Sequence, residues 1–216
     1  MKRFTMDKAI WQYDTVLEYC KKNNKKIDEK TLFRYSANHI GLFVTWLIEN
    51  DLLKNSEFLS DFESIKKHKM TGTDFLEKRF DYTLVKEDIK PEVLEFMSDY
   101  YENRYLSDYG KVIGDRIFET DFSWNDYVLI KEMIDKEFKK YVNRMELSCI
   151  SVFAIAGLFI LGSIGYGINF LIENDFSMLI ISFILVFVMI GLINGTISKM
   201  KFVRELKKKG IENNIK

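Results

Sequence analysis

Two runs of this chain carry no charged side chain: Leu147–Ile172, twenty-six residues, and Phe176–Ser198, twenty-three. As helices they would extend roughly 39 and 35 Å at about 1.5 Å per residue, against a hydrocarbon core of about 30 Å. Each holds fourteen residues drawn from Leu, Ile, Val and Phe, each favouring insertion by about 0.3–0.6 kcal/mol near the centre of a span. Buried core helices of this kind would need a large soluble partner to cover every face, so the runs read as transmembrane helices. Only Glu173, Asn174 and Asp175 separate them, which forces an antiparallel hairpin. Both lie toward the wrong end of the sequence for a cleaved signal peptide.

The overall balance of 32 basic against 32 acidic side chains hides this division. Residues 1–146 hold 25 basic and 28 acidic groups, residues 147–198 hold only Glu173 and Asp175, and residues 199–216 hold seven basic and two acidic groups. Three parts follow: a helical domain over 1–146, a transmembrane hairpin over 147–198 and a basic tail over 199–216. Lys131, Lys136, Lys139, Lys140 and Arg144 precede the first span, and Lys199, Lys201, Arg204, Lys207, Lys208 and Lys209 follow the second. The intervening turn has no basic residue. The positive-inside rule therefore places both termini in the cytoplasm and the turn outside. With one cysteine in the charged part, Cys20, and one in the apolar part, Cys149, a disulfide framework is not expected.

Within the spans, Gly157, Gly162, Gly165 and Gly167 thin the first helix, and Gly191 with Gly195 makes a GxxxG in the second. Such positions pack helices closely, either the two of one hairpin or those of two copies in a homo-oligomer. Asn169 and Asn194 are the strongly polar side chains here and sit at different depths. No intramembrane Asp, Glu, Lys, Arg or His supplies a proton relay or an ion-coupling site.

Residues 1–146 contain Pro91 and four glycines, Gly41, Gly72, Gly110 and Gly114. That punctuation is too sparse for a series of short strands, so the domain reads as all-α. Ile40, Phe43, Val44, Leu47 and Ile48 form a helical stripe, with Ser36 or Asn38 as its expected cap. Thr73 is the expected cap of a helix over Asp74–Phe80. Pro91 opens another, running towards Tyr105. Ser123 starts a periodic run with no Gly or Pro before the first span, so the last soluble helix is expected to continue into the membrane. Lys21–Lys30 reads as a polar connector. Trp11, Trp46 and Trp124 are expected in the core on size.

Catalytic chemistry is sparse. The two histidines, His39 and His68, and the two cysteines have no zinc spacing, and no phosphate-binding glycine loop occurs in residues 1–146. No enzyme activity, cofactor or metal is expected, and the basic tail reads as a lipid-facing topology signal rather than a nucleic-acid site.

Ile10-Trp11-Gln12-Tyr13 and Asn38-His39-Ile40-Gly41-Leu42-Phe43-Val44-Thr45-Trp46 resemble an uncharacterised bacterial domain family. Its pattern is a Trp-x-His/Tyr start and a Thr-His-Ile-Gly-Met-Phe-x-x-Trp helix. The resemblance continues through Met70–Leu76, Tyr100–Tyr109 and Ser123–Tyr127, covering about residues 5–130. This sequence has Asn38 where the family has Thr, Tyr13 where it often has His, and a longer Lys-rich stretch after the first motif. The resemblance implies a bacterial protein of the kind encoded near toxin and immunity genes.

The expectation is therefore a non-catalytic, membrane-anchored protein-binding module of the bacterial cell membrane, multi-pass, with immunity against a toxin as its most concrete form. The alternative is a membrane-disrupting effector of abortive anti-phage defence, with a cytoplasmic sensor domain. Membrane lipid and a protein are the expected partners. Tyr100, Tyr101, Tyr105 and Tyr109 are candidate contact residues, because tyrosine adds area and a hydrogen bond at low rotamer cost. His39 reads either as a buried histidine bonded to a neighbouring element or as a ligand-contacting group. Gly41 is expected to permit close approach of another helix.

Overall fold

The computed structural model describes residues 4–54, 56–173 and 176–208. The turn residues Asn174 and Asp175 and the tail beyond Lys208 lie outside them, as do the surroundings of Gly167 and the side chain of Asn169. The protein is mostly α-helical, a helical domain followed by two long apolar helices. By its internal contacts the chain divides into two compact units, Met1–Glu137 and Phe138–Lys216.

The first unit runs β1 (Thr5–Lys8), α1 (Ile10–Lys22), α2 (Glu29–Glu49), α3 (Leu59–Lys66), α4 (Gly72–Phe80) and β2 (Thr83–Val85). A helical stretch from Pro91 to Ile113 follows, with α5 (Leu94–Phe96), a π-helical segment Met97–Tyr105 and α6 (Leu106–Ile113). Pro91 sits in its first turn, where the missing N–H leaves nothing unpaired. The two short strands are an addition to the all-helical reading. They pair antiparallel, with a register irregularity between Thr5 and Asp7.

Two caps differ from the sequence expectation. Helix α2 starts seven residues before Ser36, at Glu29, because the Asp28 carboxylate accepts from the Thr31 N–H at 2.7 Å. Ser36 and Asn38 are interior positions. Helix α4 is capped by Thr71, not Thr73: Thr71 Oγ1 accepts from Asp74 N–H, and Asp74 accepts in return from Thr71 N–H, both at 3.0 Å. This reciprocal capping box satisfies two helix-end donors at once. The α1–α2 connector, with exposed Lys25 and Lys26, is polar as expected, while Lys21 and Lys22 form the exposed last turn of α1.

Helix α2 is the axis of the unit. Every residue from Ser36 to Ile48 is buried, so the expected stripe is instead a helix enclosed on all sides. The contact with α4 explains how. A Cβ on Gly41 would fall 2.7 Å from the Thr73 backbone nitrogen, closer than van der Waals contact permits. A Cβ on Gly72 would collide with the Gly41 carbonyl. Thr45 fills the remaining hydrogen-bonding need, donating to Gly41 O at 2.9 Å and accepting from Gly72 N–H at 3.1 Å. Arg34 adds an ionic tie from α2, reaching Asp74 at 2.9 Å, Glu77 at 2.8 Å and Asp121 at 2.7 Å. Further along, the Phe43 ring meets Tyr101 and Tyr105 edge-on, at 4.6 and 4.8 Å between centroids. Trp46 is fully buried, and its indole N–H donates to Asp135 at 2.7 Å.

The other two tryptophans are not core residues of that kind. Trp11 is 57% exposed. Trp124 is half-buried and stacks on His68, with 3.9 Å between ring centroids.

Helix α7 (Trp124–Glu173) is unbroken, as the lack of Gly and Pro before the first span predicts, and α8 (Phe176–Lys208) follows. Both hold stretches apolar enough to cross a membrane, and only 11% and 0% of those stretches is buried. A core helix of a soluble protein would be mostly covered. In the second unit Tyr141, Val142, Met145 and Cys149 of α7 and Phe202, Val203 and Leu206 of α8 are buried. Lys207 pairs with Glu146 at 2.6 Å. From Ile150 to Ile164 and from Phe183 to Leu192 large apolar side chains face outward.

Two substitutions test this packing in the full chain held in detergent. Trp46→Ala is expected to cost about 3–5 kcal/mol, from lost burial and the cavity left. Gly41→Ala is expected to cost about 1–3 kcal/mol, because the methyl must push α4 away. Urea unfolding followed by far-ultraviolet circular dichroism measures both, and a change under about 0.5 kcal/mol would contradict the assignment.

Candidate functional site

One side of α2 carries polar groups into the interior, and other elements come in to meet them. His39 Nε2 lies 3.1 Å from Asp7 Oδ2 of β1. The same Asp7 oxygen accepts from the Tyr101 hydroxyl at 2.8 Å, while Oδ1 accepts from Lys8 N–H at 2.8 Å. A carboxylate only accepts, so Nε2 carries the imidazole proton in this arrangement. Tyr105 donates to the His39 carbonyl at 2.8 Å, and Asn38 Nδ2 donates to the Tyr109 hydroxyl at 3.1 Å. Burial first, and then the Asp7 charge, pushes the Tyr101 hydroxyl well above its ordinary range. It therefore stays a donor across the physiological range.

The register irregularity in β1 matters here. Strict alternation would put Met6 and Asp7 on opposite faces. With the irregularity Met6 is buried and the Asp7 carboxylate still reaches the interior histidine.

Beside this network is a pocket of about 90 Å³. Gln12 and Val16 of α1, Tyr35 and His39 of α2, and Leu106 and Tyr109 of α6 line it. A second pocket, lined by Phe58, Phe62, Phe75 and Phe80, has room for about one water.

The structure gathers all five sequence-selected domain residues, but in the interior. Tyr100, Tyr101, Tyr105, Tyr109 and His39 are between 0% and 6% exposed. Their spacing places one ring after another along a single helical face: Tyr101 and Tyr105 stack at 5.2 Å, and Tyr105 and Tyr109 follow at 6.2 Å. They are core and pocket residues, not an outward-facing patch. Among the described residues Tyr100 has no hydrogen-bond partner for its buried hydroxyl, and the Arg104 guanidinium sits 5.0 Å from its ring centre.

Among the described residues, a Cβ built on Gly157, Gly162, Gly165, Gly191 or Gly195 in the hairpin would meet no atom within 4 Å. Asp7, Gln12 and Tyr35 were not singled out from the sequence. Asp7 lies in a strand of four residues, too short for alternation to register, and the other two sit on ordinary polar helix positions.

Asp7→Ala would leave two buried donors, His39 Nε2–H and Tyr101 O–H, without an acceptor. The expected cost is about 2–4 kcal/mol. In a double-mutant cycle with Tyr101→Phe, a coupling above about 0.5 kcal/mol is expected, and strict additivity would show that the network is not closed.

No curated protein and no solved structure matches this chain. A family model does, over residues 5–123: a domain of unknown function, DUF7832. That span contains Asp7, His39, the four clustered tyrosines and every residue lining the pocket. The chain belongs to the DUF7832 family.

Proposed function

We propose that this protein is a non-catalytic, membrane-anchored binding module that acts by stoichiometric contact with a protein at the inner face of a bacterial cell membrane. Immunity against a toxin is its most concrete form. The observation that carries the reading is the contrast between the two units. The first has a closed aromatic core of its own. The second leaves Leu158, Phe159, Leu161, Phe183, Phe187 and Leu192 about half exposed or more, which a bilayer would cover and water would not.

Both termini are cytoplasmic in this proposal and the protein is multi-pass. The lack of basic residues between the spans, with Lys199, Lys201, Arg204, Lys207 and Lys208 beyond the second, supports that orientation. With the tyrosines internal, the outward apolar side chains of the domain become the candidates for partner contact. Trp11 and Ile10 are 57% and 51% exposed, and tryptophan is among the residues that dominate binding energy at interfaces.

A specific observation also favours the effector reading. Gly157, Gly162, Gly165, Gly191 and Gly195 leave an unoccupied small-residue surface on the hairpin, suited to association of several copies. In that case the hairpin breaches the bilayer and the first unit senses the trigger.

Carbonate washing of membranes should leave the protein in the pellet. Reporters fused at Met1 and Lys216 should read cytoplasmic, and a tag between Glu173 and Phe176 external. A photo-crosslinker at position 11 should give a discrete protein adduct in cells, and Trp11→Ala should lower partner binding at least tenfold without shifting the melting temperature. Overexpression should be tolerated. Depolarisation by the isolated hairpin, suppressed by residues 1–144, would establish the effector reading instead.

A further inference from the structure

We propose that the charged end of the second unit is a binding surface for anionic phospholipid, with Lys201, Arg204 and Lys208 of α8 meeting the headgroup phosphates. The inference rests on the membrane-spanning reading and is independent of the protein-binding one.

Charge sets the sign of the ligand. Where the two apolar runs end, residues 139–146 and 199–208 hold eight basic side chains against two acidic ones, Glu146 and Glu205. Glu146 is paired with Lys207 at 2.6 Å. Lys201, Arg204 and Lys208 are exposed and form no ion pair among the described residues, and neither does Glu205. Their spacing of i, i+3 and i+7 puts the three cations on one face of α8. Phe202, Val203 and Leu206 are buried on the opposite face. A packed helix therefore holds three cations outward in a row about 10 Å long.

Position selects the kind of anion. Lys207 reaches Glu146, the residue before the first uncharged run, so the basic stretch of α8 lies alongside the start of that run. Leu147 and Ile150 of α7 are exposed there. Cations and open apolar surface therefore share one level of the helix pair. A free phosphate or an acidic peptide would use only the cations. A phospholipid offers its phosphate to the basic row and its chains to the apolar side chains. Lys201 stands three residues, about 4.5 Å, beyond Ser198, the last residue of the second run. Long Lys and Arg side chains there cover apolar surface with their stems and carry their charge to the headgroups. Arg204 adds shape, because a guanidinium matches two phosphate oxygens at once. Basic clusters next to a span attract anionic lipid, and the attraction fades within a Debye length of about 8–10 Å.

The experiment reconstitutes the full chain into phosphatidylcholine nanodiscs with a trace of chain-labelled nitroxide phosphatidylglycerol or phosphatidylcholine. Electron paramagnetic resonance reads the motionally restricted fraction of each probe. Association of the anionic probe is expected to exceed that of the zwitterionic one at least about threefold, and added sodium chloride should lower the excess. Lys201→Gln/Arg204→Gln/Lys208→Gln should reduce the excess by at least half with an unchanged circular dichroism spectrum, since all three side chains are exposed. Removing three exposed lysines from the first unit, as Lys21→Gln/Lys22→Gln/Lys26→Gln, should leave it in place. Sodium phosphate should act no more strongly than sodium chloride of equal ionic strength. Equal restriction of both probes by the unaltered chain overturns the proposal. So does an excess that falls by less than half in the α8 variant, or that falls as far in the first-unit variant. Displacement by phosphate beyond the salt effect overturns the assignment to lipid. A chain that does not enter the discs overturns the spanning reading, and this proposal with it.

Discussion

Gly41 and Gly72 let α4 lie against α2 backbone to backbone, and the first unit is organised around that contact. A helix covered on one stripe needs no such device. One buried from Ser36 to Ile48 on every side must be approached from several directions at once. Side chains of ordinary size would hold α4 off by the usual interaxial distance of about 8–10 Å. Removing both Cβ atoms and placing Thr45 to bond both backbones closes that gap. Enclosure then has a consequence for chemistry. Buried polar groups on α2 lose water, so most are bonded within the protein, Asn38 Oδ1 being an exception among the described residues. Ser36 donates to Leu32 O at 2.8 Å, Asn38 to Tyr109, and His39 to Asp7. The polar network follows from how completely α2 is buried.

Properties that run along one dimension of the chain were legible without the structure. An uncharged run of twenty or more apolar residues is apparent from composition, so the two long helices were readable. So was the continuity of α7, which needs only the lack of Gly and Pro. Gly41 as a close-approach position was readable because it interrupts an otherwise bulky helix. The errors arose where local sequence allows several answers. Thr71 and Thr73 both precede the α4 stripe. The capping box requires an acidic residue three positions on, and Asp74 stands at that distance from Thr71. The first turns of α2 are polar, so its start was read from the apolar stripe and placed seven residues late. Size misled for Trp11, where a large ring faces outward.

The tyrosines show a different limit. Positions 101, 105 and 109 recur every four residues, and that period is itself a core signal on a helix. Composition pointed to an interface and periodicity to an interior; periodicity prevailed, since stacking at 5–6 Å removes the rings from water together. The irregular β1–β2 pairing, which brings Asp7 to His39, had no counterpart signal. A strand of four residues and one of three, separated by more than seventy positions, are paired by tertiary packing alone.

The Asp7–His39 pair invites comparison with the orienting half of a hydrolytic triad, and the hydroxyls of Ser36, Tyr101 and Tyr105 around it are bonded elsewhere. A triad needs a nucleophile on the histidine's second nitrogen, activated by losing its proton there. Ser36, one turn before His39, already donates its hydroxyl proton to the Leu32 carbonyl. Tyr101 gives its proton to Asp7 and Tyr105 gives its own to the His39 carbonyl, so neither is directed at the free Nδ1. Burial pushes Tyr101, Tyr105 and Tyr109 further from ionisation, the opposite of what a nucleophile requires. What remains is a histidine held in one orientation by Asp7, beside a pocket at the junction of α1, α2 and α6. Gln12 lines that pocket and Trp11 stands exposed next to it in sequence, so a single helix serves both the interior network and the outward face.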